Sequence, residues 1–274
     1  MNEVRSDKIT IETRVAGGAV ILLLLLAFLA LYIESDHTDQ YFSWTILPRT
    51  SAILIGAGYM AGAYFFARVI SEKKWHRVQT GFLAITAFTI YMLAATLLHW
   101  SRFHQGTFVF YLWTATYAVT PLLVPFVWWR NRSSDPHTLE DNDFRFSSLI
   151  RWALGVVAVI GMLLGLLLFF KPTLLISAAP WKLTELTARI FTGWAFLAFS
   201  TALTIARDGR WSATRILFQS AMVGQALSLL ALPRMWNDLD PAKPMTYAFV
   251  GGLVLALPAF IIIHLWLDRK LRRK

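Results

Sequence analysis

Two histidines and an arginine stand in the stretch LHWSRFHQGTF, residues 98–108, between two long apolar runs. Histidine pairs suggest a metal or haem site, but His99 and His104 are five residues apart. On a continuous helix that spacing separates them by about 140°, whereas helical metal pairs sit at i, i+3 or i+4. His37, His76, His137 and His264 offer no partner at matching depth for a b-type haem. Neither a metal nor an organic cofactor is therefore expected. Arginine points to different chemistry. Arg49, Arg102, Arg189 and Arg234 all fall at the same predicted end of their apolar runs, and a guanidinium suits bidentate capture of a carboxylate or phosphate. Arg189 lies about one turn inside its run, where a charge is costly, although Glu185 at i−4 is placed to pair with it. With His99, Trp100, Trp236 and Asp238 as further lining, these residues predict an outward-facing pocket for a small anionic or amphipathic ligand.

The elements that must position these residues follow from composition. Of 274 residues, 57% are hydrophobic and 15% charged, against roughly a quarter charged in a soluble domain. The apolar residues come in eight runs of about 20, the length that crosses a hydrocarbon core of roughly 30 Å. The runs centre on residues 15–33, 50–70, 79–100, 107–129, 152–170, 187–206, 213–232 and 246–267. A span in lipid must satisfy its own backbone hydrogen bonds, so each run predicts a helix. The first run is too long for a signal peptide, and ESDHTDQYF follows it rather than a small-residue cleavage site; it reads as a retained helix. The expectation is an all-α polytopic integral membrane protein with eight transmembrane helices. Absence of cysteine excludes disulfides, thiolate-bound zinc, iron–sulfur clusters and thiol catalysis.

Charge placement sets the predicted orientation. With the N-terminus cytoplasmic, only Arg49, Arg102, Lys171, Lys182, Arg189, Arg234 and Lys243 of the 26 Lys and Arg fall on the outer side. The rest gather inside, as the positive-inside rule requires. Both termini are expected to be cytoplasmic, in a plasma membrane of the bacterial inner-membrane type. The net charge of +10 is thus a topology signal and not a nucleic-acid surface. Trp44, Trp100, Trp181 and Trp236 at predicted outer ends, and Trp75, Trp128, Trp129, Trp152, Trp211 and Trp266 at inner ends, read as headgroup anchors.

The chain also matches itself at an offset of 137 residues, or 136 beyond a gap near residue 74. Arg14 then falls on Arg151, Trp44 on Trp181, Thr50 on Thr187, Trp75 on Trp211, Trp100 on Trp236 and Tyr111 on Tyr247. Four helices per half give both halves one orientation, which predicts two parallel four-helix repeats. The first half spans 1–133 and the second 148–274. The polar segment 134–147 between them reads as a solvated cytoplasmic linker. Gly58 with Gly62, and Gly161 with Gly165, have the GxxxG spacing of closely packed helices. Pro121, Pro125, Pro233 and Pro258 predict kinks or breaks in helices 4, 7 and 8.

Several functions lack their residues. No Asp or Glu lies mid-helix for carboxylate-based proton exchange, and G-x-S-x-G, H-E-x-x-H and P-loop motifs are absent. Binding or transport at the outer pocket is the leading expectation, with the lipid bilayer and a small ligand as partners. The alternatives are a non-catalytic subunit that docks a protein partner or another copy, and a membrane enzyme using His99 with Asp238 or Glu185.

Overall fold

A computed structural model describes residues 6–272. The chain is 80% helix, with no strands among the described residues. The long helices are α1 (Ile11–Phe28), α3 (Arg49–Ser71), α4 (Gln79–Leu98), α5 (Phe108–Asn131), α6 (Ser148–Phe170), α8 (Glu185–Asp208), α9 (Trp211–Leu230) and α11 (Pro244–Arg272). Short helices α2 (Thr38–Tyr41), α7 (Pro172–Ala178) and α10 (Leu232–Met235) lie between them. A π-helical segment, Leu29–Ile33, extends α1.

Seven helices are long and apolar enough to cross a membrane, or eight if α9 and the segment Leu232–Asp238, bent by 55°, form one span. The bend has a local cause. Pro233 opens α10, and its missing N–H and ring cannot continue the ladder of α9. Pro121, Pro125 and Pro258 instead sit inside the continuous helices α5 and α11. Capping side chains start several helices: Thr10, Thr107, Ser147 and Thr184 each accept an N–H from three residues ahead. Gly209 ends α8 at φ 77°, and an added Cβ would lie 2.8 Å from Arg151 Nε, so only glycine fits there.

Helices α3, α4, α8 and α9 form the centre. α3 packs on α9 and α8 on α4; α1 covers α3, α6 covers α8, and α5 and α11 flank α4 and α9. The GxxxG glycines seat partners. A Cβ on Gly58 would lie 2.7 Å from the Trp194 indole, and one on Gly161 2.3 Å from Phe199. The exteriors of α1, α6 and α11 are rows of exposed Leu, Ile and Val, more contiguous apolar surface than a water-soluble monomer carries.

Two expectations need correcting. Trp44, Trp75, Trp181 and Trp211 are buried, at 2%, 0%, 8% and 0% exposure, so they are core residues and not headgroup anchors; Trp100, Trp129, Trp152, Trp236 and Trp266 do face outward. Segment 134–147 is solvated only in part. Asp135 and Asp143 are buried, and backbone bonds tie the segment down: Asp7 N to Ser134 O at 2.9 Å, Phe146 N to Gly209 O at 2.8 Å and Trp211 N to Phe144 O at 3.1 Å.

Candidate functional site

Arg189 lies on the second turn of α8, and His99 terminates α4. The guanidinium Nη1 donates to His99 Nε2 at 2.6 Å. Nε2 must therefore be the unprotonated nitrogen, and the imidazole is neutral. Burial, then the Arg189 charge, hold His99 below its usual pKa; Glu185 opposes and Arg102 adds to the depression. Arg189 Nε donates to Phe169 O at 3.1 Å, a carbonyl in the last turn of α6, where the helix dipole is negative. The Phe169 ring lies 5.9 Å from the guanidinium. The single carboxylate partner among the described residues is Glu185, at 3.2 Å and 57% exposed. Nη2 makes no hydrogen bond among the described residues. Three helices thus converge on a cation whose charge is compensated by one solvated carboxylate.

The other predicted lining residues divide. Arg102 is exposed in the 3-10 turn after His99 and forms no side-chain hydrogen bond or ion pair among the described residues. Trp100, 41% exposed, packs its ring on Phe110. Asp238 accepts Thr50 N–H at 3.0 Å and Oγ1–H at 2.6 Å, capping α3. Arg49 pairs with Asp36 at 3.4 Å. Arg234 donates to Tyr32 O at 2.8 Å, Ile33 O at 3.3 Å and Ser35 Oγ at 2.8 Å, where it closes the end of the π-helical segment. Trp236 is exposed. His99, Arg102 and Arg189 therefore share one neighbourhood, while Arg49, Arg234 and Asp238 are engaged around the start of α3 and the end of α1.

At the opposite end lies an ionic cluster that sequence reasoning passed over. His76, 1% exposed, bonds Asp7 Oδ2 through Nδ1 at 2.6 Å. Its Nε2 is 2.7 Å from Glu140 and 3.2 Å from Ser212 Oγ. This has the outline of a serine–histidine–aspartate triad, but the protonation is wrong for one. Burial alone would depress the His76 pKa; bonds to Asp7 and Glu140 outweigh it and raise it to about 9. A buried imidazolium with carboxylates on both nitrogens takes no proton from serine, and Ser212 Oγ already donates to Asp143 at 2.6 Å. Arg77 grips Glu140 through Nε and Nη2 at 2.8 and 2.6 Å. Arg210, 1% exposed, binds Asp135 and Asp208 bidentately at 2.6–2.9 Å, and Gln79 donates to Asp135 as well. These bonds hold Asp135, against the upward push of burial, at about 2. The chemistry is that of a clasp between residues 134–147 and the ends of α3, α4, α8 and α9.

Two clefts open between the helices. One, of about 530 Å³ including its open side, lies between α1 and α5; the other, of about 540 Å³, lies beside α7 and Trp181. Neither is lined by any of the eight predicted site residues. The fold and the site together define an all-helical chain with seven or eight helices long and apolar enough to span a membrane. No protein-family model, curated protein or solved structure matches the chain.

Proposed function

We propose that the chain is an integral membrane protein of two parallel four-helix repeats, with cytoplasmic termini in a bacterial inner membrane. We further propose that it binds or transports a small anionic ligand at its outer face, around Arg189, His99 and Arg102.

Hydrogen bonds that recur at the sequence offset support the repeat. The isolated bridge Lys8–Lys74 corresponds to Arg145–Arg210. His104 N to Ser43 O at 2.8 Å corresponds to Asp240 N to Pro180 O at 2.7 Å. Arg14 donates to the carbonyl of Ile70, and Arg151 to that of Arg207. The reciprocal packing of α3 on α9 and α8 on α4 fits a two-fold axis along the membrane normal. The apolar exterior and the charge bias support insertion.

One observation carries the ligand reading: Arg189 rests on a neutral imidazole and a helix-end carbonyl, with only an exposed carboxylate to balance it. An incoming carboxylate or phosphate can replace Glu185 and use the unengaged Nη2 in bidentate fashion. An enzyme built on His99 has less support, because Nε2 faces a guanidinium and Asp238 caps α3. The test is thermal unfolding of the purified protein against a panel of organic carboxylates and phosphates. Stabilisation by at least one anion is expected in the wild type and not in Arg189→Gln. Identical shifts in the two proteins would remove the proposal.

A further inference from the structure

The cleft between α1 and α5 carries a second site, unrelated to Arg189. It rests on the membrane-spanning part of the reading above and on nothing else in it. Asn131 pins the inner ends of the two helices together: its Nδ2 donates to Thr13 Oγ1 at 2.5 Å and Thr10 Oγ1 at 3.2 Å, and its Oδ1 accepts from Thr10 N at 3.0 Å. Toward the outer end the helices part. The cleft runs there from Leu23 to Ala30 on one side and from Val109 to Tyr117 on the other.

Its floor holds Tyr59 and Tyr117, 2% and 5% exposed, with their hydroxyls 2.9 Å apart. Each phenol has one O–H to give. Their mutual bond uses one, and neither hydroxyl makes another hydrogen bond among the described residues. One O–H is thus left without an acceptor, in a place where a missing partner is costly. Tyr59 is ten residues into α3 and Tyr117 nine into α5, so the pair lies roughly 15 Å from the outer helix ends, near the middle of a hydrocarbon core of about 30 Å. Three other polar groups of the lining are already committed: Trp113 Nε1 to Thr96 at 2.9 Å, Thr116 Oγ1 to Leu112 O at 2.7 Å and Ser43 Oγ to Val109 O at 2.8 Å.

The lining selects the occupant. No charged side chain lines the cleft, so a charged headgroup is not recognised. Aromatic rings form its walls, with Trp113 4.3 Å from Tyr117 and 5.5 Å from Phe42 between centroids. Such walls suit a planar ring. A phospholipid in the cleft would offer methylenes at the depth of the tyrosines, because its ester carbonyls stay at the interface. We propose that the cleft binds a long-chain quinone: the neutral ring lies against Trp113, a ring carbonyl accepts the spare tyrosine O–H, and the apolar tail leaves past Ala27 and Leu26 into lipid.

The test uses the full chain in phosphatidylcholine nanodiscs and equilibrium binding of decylubiquinone. Saturable one-to-one binding is expected. Tyr59→Phe or Tyr117→Phe alone should change affinity by less than about threefold, because the remaining phenol is then free to donate. The double variant should bind about tenfold more weakly, and Ala30→Trp, which fills the cleft, should bind none. Decylbenzene, which lacks the carbonyl, should compete poorly. The proposal is overturned if wild type shows no saturable binding, if the double variant binds as wild type does, or if decylbenzene or added phospholipid competes equally. Circular dichroism checks that each variant folds; Ala30→Trp on the lipid side keeps the test decisive should the double variant misfold, since undiminished binding by it also overturns the site. Loss of the chain from carbonate-washed membranes would overturn the spanning reading and the quinone site together. Retention without quinone binding would overturn the site alone.

Discussion

Arg210 and Arg189 are the same residue type in opposite conditions. All five N–H donors of Arg210 have acceptors: two carboxylates held bidentately and the carbonyl of Thr138. Arg189 uses Nε and Nη1 on a carbonyl, a neutral imidazole and an exposed carboxylate, and leaves Nη2 unengaged. Saturation makes the first a fastening, since nothing can bind it without breaking a bidentate pair. Undersaturation gives the second spare capacity for an anion. A buried charge is therefore informative through the count of its unspent donors, more than through its burial.

The largest expected effect breaks the saturated side. Arg210→Ala takes from Asp135 and Asp208 the guanidinium that binds each of them twice, and Asp135 is fully buried. Removing one partner of such a pair costs about 3–5 kcal/mol. Thermal unfolding in detergent should show a large drop in midpoint; a drop no larger than that of a surface variant would mean the clasp is not fastened as its geometry implies.

The clasp also fixes a pH dependence. His76 titrates near 6.5 when unfolded and about 9 when folded. Its contribution is complete below about pH 6.5 and is lost as pH rises through about 9. Asp135 has the opposite sign: its folded pKa, about 2, is below the ordinary 3.8, so its contribution is present above about pH 4 and fades toward pH 2. The unfolding midpoint should be flat from about pH 4.5 to 6.5 and fall on both sides. His76→Gln should lower the plateau and flatten the alkaline limb. An unchanged alkaline limb in that variant would assign the titration elsewhere.

Little of this clasp was legible. The helices were, because apolar runs of about 20 residues leave one solution in lipid. The offset that pairs Trp75 with Trp211 was legible too. Asp135, Glu140 and Asp143 were not, because a polar, proline-containing stretch between apolar runs looks the same whether it is solvated or tied down. Their partners Arg210, His76, Arg77 and Ser212 are remote in sequence. One signal was available: Trp75 and Trp211, which that offset superposes, each follow a cation, Lys74 and Arg210. Residue type and depth singled out Arg189, but its bond to His99 joins helix ends 90 residues apart. Tyr59 and Tyr117 carried no signal at all, since aromatic residues are common in such helices.

The smaller effects lie on the undersaturated side. Arg189→Gln should change stability by about 1 kcal/mol or less, because its ionic partner Glu185 is solvated, yet it should abolish the anion-dependent rise in midpoint. A variant that is strongly destabilised would instead make Arg189 a second fastening, and the contrast with Arg210 would fail.

Arg49 gives the weakest effect and the sharpest control. It also sits at a helix end beside a carboxylate, but its side chain is 32% exposed, Asp36 is 55% exposed, and their separation is 3.4 Å. Water competes for a pair exposed to this degree, so the pair gains little and an added anion gains little over water. Arg49→Gln should move the unfolding midpoint by the equivalent of about 0–1 kcal/mol and leave the anion response intact. If Arg49→Gln removed that response as fully as Arg189→Gln does, outer positive charge in general, and not the partly buried guanidinium on His99, would be what the anion senses.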